Sequence, residues 1–211
     1  MTGHRFNTEQ QNTKHKTRNT KQLLTALLIA GIVGGGCYKK PDEAVENDDG
    51  PLWAAPTFNL VDQDGQPFSS DKLKGKTWIV TLFFTTCPGP CPMMSNRMRK
   101  IQKSVDDPNV MLVSLSVDPN HDTPEKLKDY SRNMTADPAR WVFLTGKPED
   151  VQKTADGFKL GFEPAKGDEP IMHDTKFLLV DKTGQVRGIY RTSEDASMAQ
   201  LEKDAKKLAQ M

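Results

Sequence analysis

An α/β protein with a central mixed β-sheet flanked by helices is the fold class this sequence predicts, and three observations predict it. Two runs, "TWIVTLFF" (77–84) and "VMLVSLSV" (110–117), are rich in β-branched and aromatic residues and too apolar for half-exposed strands, so both belong at the centre of a sheet. Between them Met94, Met98, Ile101 and Val105 recur at helical spacing, which makes a βαβ unit with a right-handed crossover. Near the end, "TKFLLVDKTGQVRGIY" sets Phe177–Val180 and Val186–Tyr190 on either side of a Lys182-Thr183-Gly184 turn, an antiparallel hairpin. A βαβ half, a ββα half and two cysteines just past the first central strand together describe a thioredoxin-like architecture.

The remaining elements fall into line. "FNLVDQDGQPF" carries Asp64-Gly65 between two short extended segments, an N-terminal β-hairpin. Thr123-Pro124 reads as N-cap and first helical residue of "PEKLKDYSRNM", followed by a strand "WVFL" (141–144) and a short helix "PEDVQKTADGF". The last helix shows Met198, Leu201, Ala205 and Leu208 on one face, to be packed on the sheet.

Ahead of this domain lies a different kind of sequence. Residues 1–22 hold five Lys/Arg against one acid, and an apolar run, Leu23–Val33, leads into Gly34-Gly35-Gly36-Cys37. The run is short for a membrane span, which needs about 20 residues, and right for the apolar part of an export signal. Residues 1–36 are therefore expected to be a signal peptide with a lipobox-like end, making Cys37 the lipidated first residue of the mature protein; an uncleaved short anchor and an ordinary cleaved signal are the alternatives. The charged stretch 37–55 reads as a flexible tether and 56–211 as the folded domain. Charge is nearly balanced, +1 overall, with no basic block in the body of the chain, which excludes a nucleic-acid surface.

The chemistry sits in "TTCPGPCPMM" (85–94). Cys87 and Cys91 follow the first central strand directly, at the strand end where sites in open α/β sheets gather. Pro88, Pro90 and Pro92 fit a stiff loop and a first helical turn but no helix interior, so the helix is expected to begin between Pro90 and Pro92 with Cys87 outside it. Cys91, at the helix N-terminus, is expected to be a better thiolate than a free cysteine. A Cys87–Cys91 disulfide, a redox dithiol and a shared metal all remain open; redox pairs of this fold usually have two intervening residues, and the three here favour metal. Beyond residue 37 only His121 and His173 are available as imidazole ligands. His121 lies in a polar turn and reads as a surface residue, whereas His173 precedes an apolar strand that would run beside the cysteine loop. Two thiolates and one imidazole are a soft set suited to Cu(I), to Cu(II) with a further weak ligand, and acceptable to zinc. Met94 and Met98 read as core; Met172 stands beside His173.

The combination of "FFTTCPGPCP", "SLSVDPNHDTPEKLKDY" and "MHDTKFLLVDKTGQV" resembles the Sco/SenC family of copper-binding, membrane-tethered thioredoxin-like proteins, over roughly Pro56 to Gln210. The resemblance implies copper, as Cu(I) or Cu(II), bound by Cys87, Cys91 and His173, with Asp118 a supporting acid. It also implies a role in assembling the binuclear copper centre of cytochrome c oxidase, by delivering copper or by reducing the cysteines of that centre. The partner would then be the copper-centre subunit of the oxidase. The expected setting is the bacterial cell envelope, membrane-anchored and facing away from the cytoplasm, with the protein a monomer. A metallochaperone is the reading favoured over an enzyme, with a thiol-disulfide oxidoreductase using Cys87 and Cys91 as the alternative. The family commonly carries an acid second after the first cysteine, where this chain has Gly89.

Overall fold

The computed structural model describes residues 50–211 apart from 168, so residues 1–36, read above as a signal peptide, and Cys37 lie outside the described residues. Among the described residues there are ten strands and four α-helices, and seven of the strands and all four helices follow the expected order. β1 (Trp53–Ala54) precedes a hairpin of β2 (Asn59–Asp62) and β3 (Pro67–Ser69). Then come β4 (Thr77–Phe83), α1 (Cys91–Ser104), β5 (Val110–Ser116), α2 (Pro124–Asn133), β6 (Trp141–Thr145) and α3 (Pro148–Gly157). The chain ends with β7 (Phe162–Glu163), β8 (Met172–His173), β9 (Lys176–Val180), β10 (Gln185–Arg191) and α4 (Asp195–Gln210).

Eight strands form one mixed sheet in the order β1-β10-β9-β4-β5-β6-β2-β3. β4 is buried along its whole length, pairing parallel with β5 and antiparallel with β9. The apolar runs that predicted central strands thus lie in the interior, where a strand covered on both faces needs no polar alternation. The hairpin around Asp64-Gly65 adds the far edge of this sheet through antiparallel pairing of β2 with β6. Gly65 takes a φ of +74°, the left-handed conformation the turn requires.

The folded part reaches back into the stretch read as tether: Trp53 and Ala54 pair with Val186 and Gln185 of β10. A two-residue strand carries no periodicity of its own, and its pairing depends on a partner more than 130 positions away. The other pair of short strands, β7 and β8, forms a separate two-stranded sheet with Phe162 opposite His173.

The helix that carries the second cysteine is held at both ends. Its stripe of Met94, Met98 and Ile101 is fully buried, as the spacing predicts. At its C-terminal end the Arg140 guanidinium, ahead of β6, donates from Nη2 to the Gln102 carbonyl (2.7 Å) and from Nη1 to the Val105 carbonyl (2.8 Å). These are carbonyls near the end of α1, where the helix leaves acceptors without intrahelical partners. Replacing Arg140 with Met keeps the apolar stem and removes the donors; hydrogen bonds to charged groups contribute about 1.5–3 kcal/mol each, and with the Arg140 side chain only 13 % exposed the expected loss is about 3 kcal/mol. The check is a urea midpoint measured with unchanged slope, in which Arg140→Lys recovers less than half of the loss because an ammonium lacks the planar fork.

Candidate metal centre

Three segments meet at the C-terminal end of β4. The strand ends at Phe83, the turn 84–90 follows, and α1 starts at Cys91 with Pro90 as its N-cap. The helix therefore begins between Pro90 and Pro92, leaving Cys87 in the turn. Pro92 occupies the first turn of the helix, where a missing N–H costs nothing. Antiparallel pairing of β9 with β4 returns the chain to the same end, where Thr81 Oγ1 donates to the Lys176 carbonyl (3.2 Å). His173 stands three residues before that point, on β8.

The result is a compact donor set. One Sγ each from Cys87 and Cys91 and one ring nitrogen from His173 all lie within 4.8 Å of one another. Metal bonds of about 2.0–2.3 Å put the donors of a three-coordinate set roughly 3.5–4 Å apart, so small side-chain movements suffice to close these residues on one ion. Both cysteines are free thiols. Cys91 is 1 % exposed and Cys87 half-buried, so the second sulfur is the inner one.

The imidazole is oriented before any ligand arrives. His173 Nδ1 donates to the Asp174 carbonyl (2.8 Å), which fixes the proton on Nδ1 and leaves the Nε2 lone pair facing Cys91 Sγ at 3.2 Å. The Phe84 ring packs edge-on to the imidazole with centroids 5.8 Å apart. Burial lowers the His173 pKa, against the opposing pull of the Asp174 carbonyl and carboxylate, so the ring is neutral and able to ligate at neutral pH.

Cys91 corrects an expectation. Its pKa is raised, not lowered: burial is the largest cause, followed by the hydrogen bond with Cys87, while the Phe84 amide pulls the other way. A helix N-terminus favours an anion through free N–H groups, and Pro92 withdraws one of them. The metal-free site is thus a protonated Cys91 thiol facing a neutral imidazole, and a bound cation must displace that proton.

His121 differs from a simple surface residue. It is half-buried, with Nδ1 3.7 Å from Asp122 Oδ1 and 4.0 Å from Asp118 Oδ2. Asp118 heads this turn and its backbone carbonyl accepts the amides of His121 and Asp122. The carboxylate that reaches the cysteine turn belongs to Asp122, fully buried and bonded to Thr85 and Ser116. Sequence reasoning passed over it; the available signal was an acid directly before the N-cap Thr123. Also unanticipated was Tyr130 of α2, whose hydroxyl shares a hydrogen bond with Ser95 of α1 (2.8 Å); burial raises its pKa, opposed by Ser95 and reinforced by the charge of the cysteines.

Gly89 has an ordinary backbone, and a Cβ built on it would meet only Cys87 Sγ, at 4.0 Å. A side chain here would lie against the outer sulfur, and glycine leaves that side open.

The His173 shift has a pH signature. Because the folded pKa lies below the ordinary 6.5, the unfolded chain takes up the proton first as pH falls, so stability present above about 6.5 is lost as pH drops through the folded value. Urea midpoints of the reduced, metal-free protein should decline from pH 7.5 to 5, and His173→Gln should flatten that decline.

Comparison with known proteins agrees with this geometry. A family model described as SCO1/SenC matches residues 47–210. Among solved structures, a SCO1/SenC family lipoprotein from Bacillus anthracis is 36% identical with a TM-score of 0.71, covering 76% of this chain and 98% of that one. BsSco, described as a member of the Sco family of cytochrome c oxidase assembly proteins in which a disulfide switch was identified, is 30% identical with a TM-score of 0.68, covering 76% of this chain and 96% of that one. Bradyrhizobium japonicum ScoI with copper bound is 25% identical with a TM-score of 0.64, covering 74% and 99%. With the match running from the residues before the first strand to the end of the last helix, the chain belongs to the SCO1/SenC family.

Proposed function

We propose that this chain binds copper as cargo through Cys87, Cys91 and His173 and serves in the assembly of the binuclear copper centre of cytochrome c oxidase, passing copper to the subunit that houses it. The observation that carries this reading is the convergence of two thiol sulfurs and one pre-oriented imidazole nitrogen within 4.8 Å. Two soft sulfurs and one nitrogen suit Cu(I) directly, and Cu(II) when a further weak ligand joins them. Further support comes from ScoI of Bradyrhizobium japonicum, a structural neighbour with copper bound, and from BsSco, a member of the Sco family of cytochrome c oxidase assembly proteins.

A second reading has its own support in the two free thiols and in the disulfide switch of BsSco. In it, the half-buried Cys87 attacks a partner disulfide as thiolate, releasing one partner thiolate. Cys91 gives up its proton and displaces the other partner sulfur, leaving a Cys87–Cys91 disulfide and two partner thiols. The site then serves as a two-electron reductant of cysteines in the oxidase copper centre.

Tethering to the outer face of a bacterial membrane through Cys37 belongs to the same proposal. It is supported by the leader-like residues 1–36 and by the Bacillus anthracis neighbour, a lipoprotein. Among the described residues no helix is long and apolar enough to cross a membrane. Mass spectrometry of protein extracted from membranes should find acylated Cys37 as the first residue; a chain still carrying Met1 and unmodified Cys37 overturns the lipid anchor.

Titration of the reduced protein with Cu(I) and Cu(II) separates the two functions. The copper reading expects one equivalent bound, with a strong visible thiolate-to-Cu(II) charge-transfer band that is lost in Cys87→Ser, Cys91→Ser and His173→Ala. Cu(II) affinity in His173→Ala should fall by at least 100-fold while the fold is kept. Absence of specific binding, together with reduction of a disulfide substrate that Cys87→Ser abolishes and His173→Ala retains, favours the reductase.

A further inference from the structure

The turn that carries Cys87 is poor in backbone hydrogen bonds. Pro88, Pro90 and Pro92 have no N–H to give, and the Cys87 amide reaches the Phe84 carbonyl only at 3.4 Å. What ties residues 84–90 to the turn after the neighbouring strand is Thr85. Its amide donates to Asp122 Oδ2 (3.0 Å) and its hydroxyl to Asp122 Oδ1 (2.5 Å). From the other side the Ser116 hydroxyl, at the end of β5, donates to the same Oδ2.

Asp122 is 0 % exposed. Burying a carboxyl group costs free energy unless its oxygens are well satisfied, and among the described residues no Lys or Arg forms an ion pair with it. The one basic side chain beside it is His121, whose Nδ1 lies 3.7 Å from Oδ1 and is shared with Asp118. A neutral amide in this place would offer one acceptor oxygen to three donors. A carboxyl group presents two acceptor oxygens, so it takes the Ser116 hydroxyl from one side and both Thr85 donors from the other, and two of its three hydrogen bonds fall on one residue of the turn. Thr85 is two residues before Cys87, while Cys91 is already fixed by α1 and His173 by Asp174.

We propose that Asp122 is the positioning residue of the cysteine turn, holding Cys87 Sγ through Thr85 close enough to Cys91 and His173 for the three to close on a shared metal ion. This rests on the proposed copper site for its purpose, but its effect on Cys87 exists in the metal-free protein as well.

The test uses the full chain and leaves Asp122 in place, because removing a buried carboxylate disturbs every donor around it. Thr85→Val is close to isosteric and deletes only the hydroxyl donor; Thr85→Ser restores it. Ser116→Ala removes a donor to the same carboxylate from the strand side and reports the purely structural cost. Two readouts are taken on each variant: the Cu(II) charge-transfer spectrum with its affinity, and the rate of Cys87 alkylation in the reduced, metal-free protein. Urea midpoints are measured alongside. Thr85→Val should shift the band, weaken Cu(II) binding about tenfold and speed Cys87 alkylation several-fold, with Thr85→Ser returning all three toward wild type. Ser116→Ala should lower the midpoint yet leave spectrum and alkylation rate unchanged. Wild-type behaviour in Thr85→Val, or equal changes in Thr85→Val and Ser116→Ala, overturns the proposal. A wild-type protein that binds no copper overturns the copper reading instead, and the alkylation rates then decide the positioning role by themselves.

Discussion

Strand β4 is the constraint on which the site depends. It is buried along all seven residues and hydrogen-bonded on both sides, so a slip by one residue would turn its side chains to the opposite faces and unpair two neighbours at once. Its parallel partner β5 delivers Ser116 and the Asp118–Asp122 turn to the same end, with the Val117 amide donating to the Phe83 carbonyl at 2.9 Å. Its antiparallel partner β9 delivers His173. Three segments separated by tens of residues in sequence thereby converge on the turn that leaves β4, and none of the ligand side chains needs a long reach.

Convergence alone would give a weak site if the groups arrived in the wrong protonation states. Burial acts on both inner donors in the same sense, disfavouring charge: it keeps His173 neutral and Cys91 protonated. The imidazole lone pair and the thiol proton are complementary across the 3.2 Å contact between them. A soft cation taken up by these donors would have to displace that proton, so binding would release it to solvent.

Much of this was legible in the sequence, and the exceptions share a cause. The central strands, the start of α1 at the prolines and the Thr123 cap rest on local signals, hydrophobic runs and backbone restrictions, which the tertiary structure had no reason to override. Cys87, Cys91 and His173 could be brought together on paper because a thioredoxin-like strand order puts their segments side by side. β1, β7 and β8 were invisible because two residues cannot display a period. Asp122 escaped because its importance lies in reaching across from one strand end to the next. The charge state of Cys91 was misjudged because the helix end was weighed without the depth of the sulfur beneath the surface, and depth proved the larger effect.

The proline-rich turn has a consequence for how the molecule can be observed. With Pro88, Pro90 and Pro92 lacking amide protons, the segment most involved in chemistry contributes few backbone probes to hydrogen exchange or to amide-detected spectra. The Thr85 amide, bonded to the buried Asp122, is a hydrogen-bonded reporter on one side of the turn, and the Met94 amide, bonded to the Pro90 carbonyl, is the first such reporter inside the helix. Between them lie the amides of Thr86, Cys87, Gly89 and Cys91, of which only that of Cys87 reaches a backbone carbonyl, at 3.4 Å.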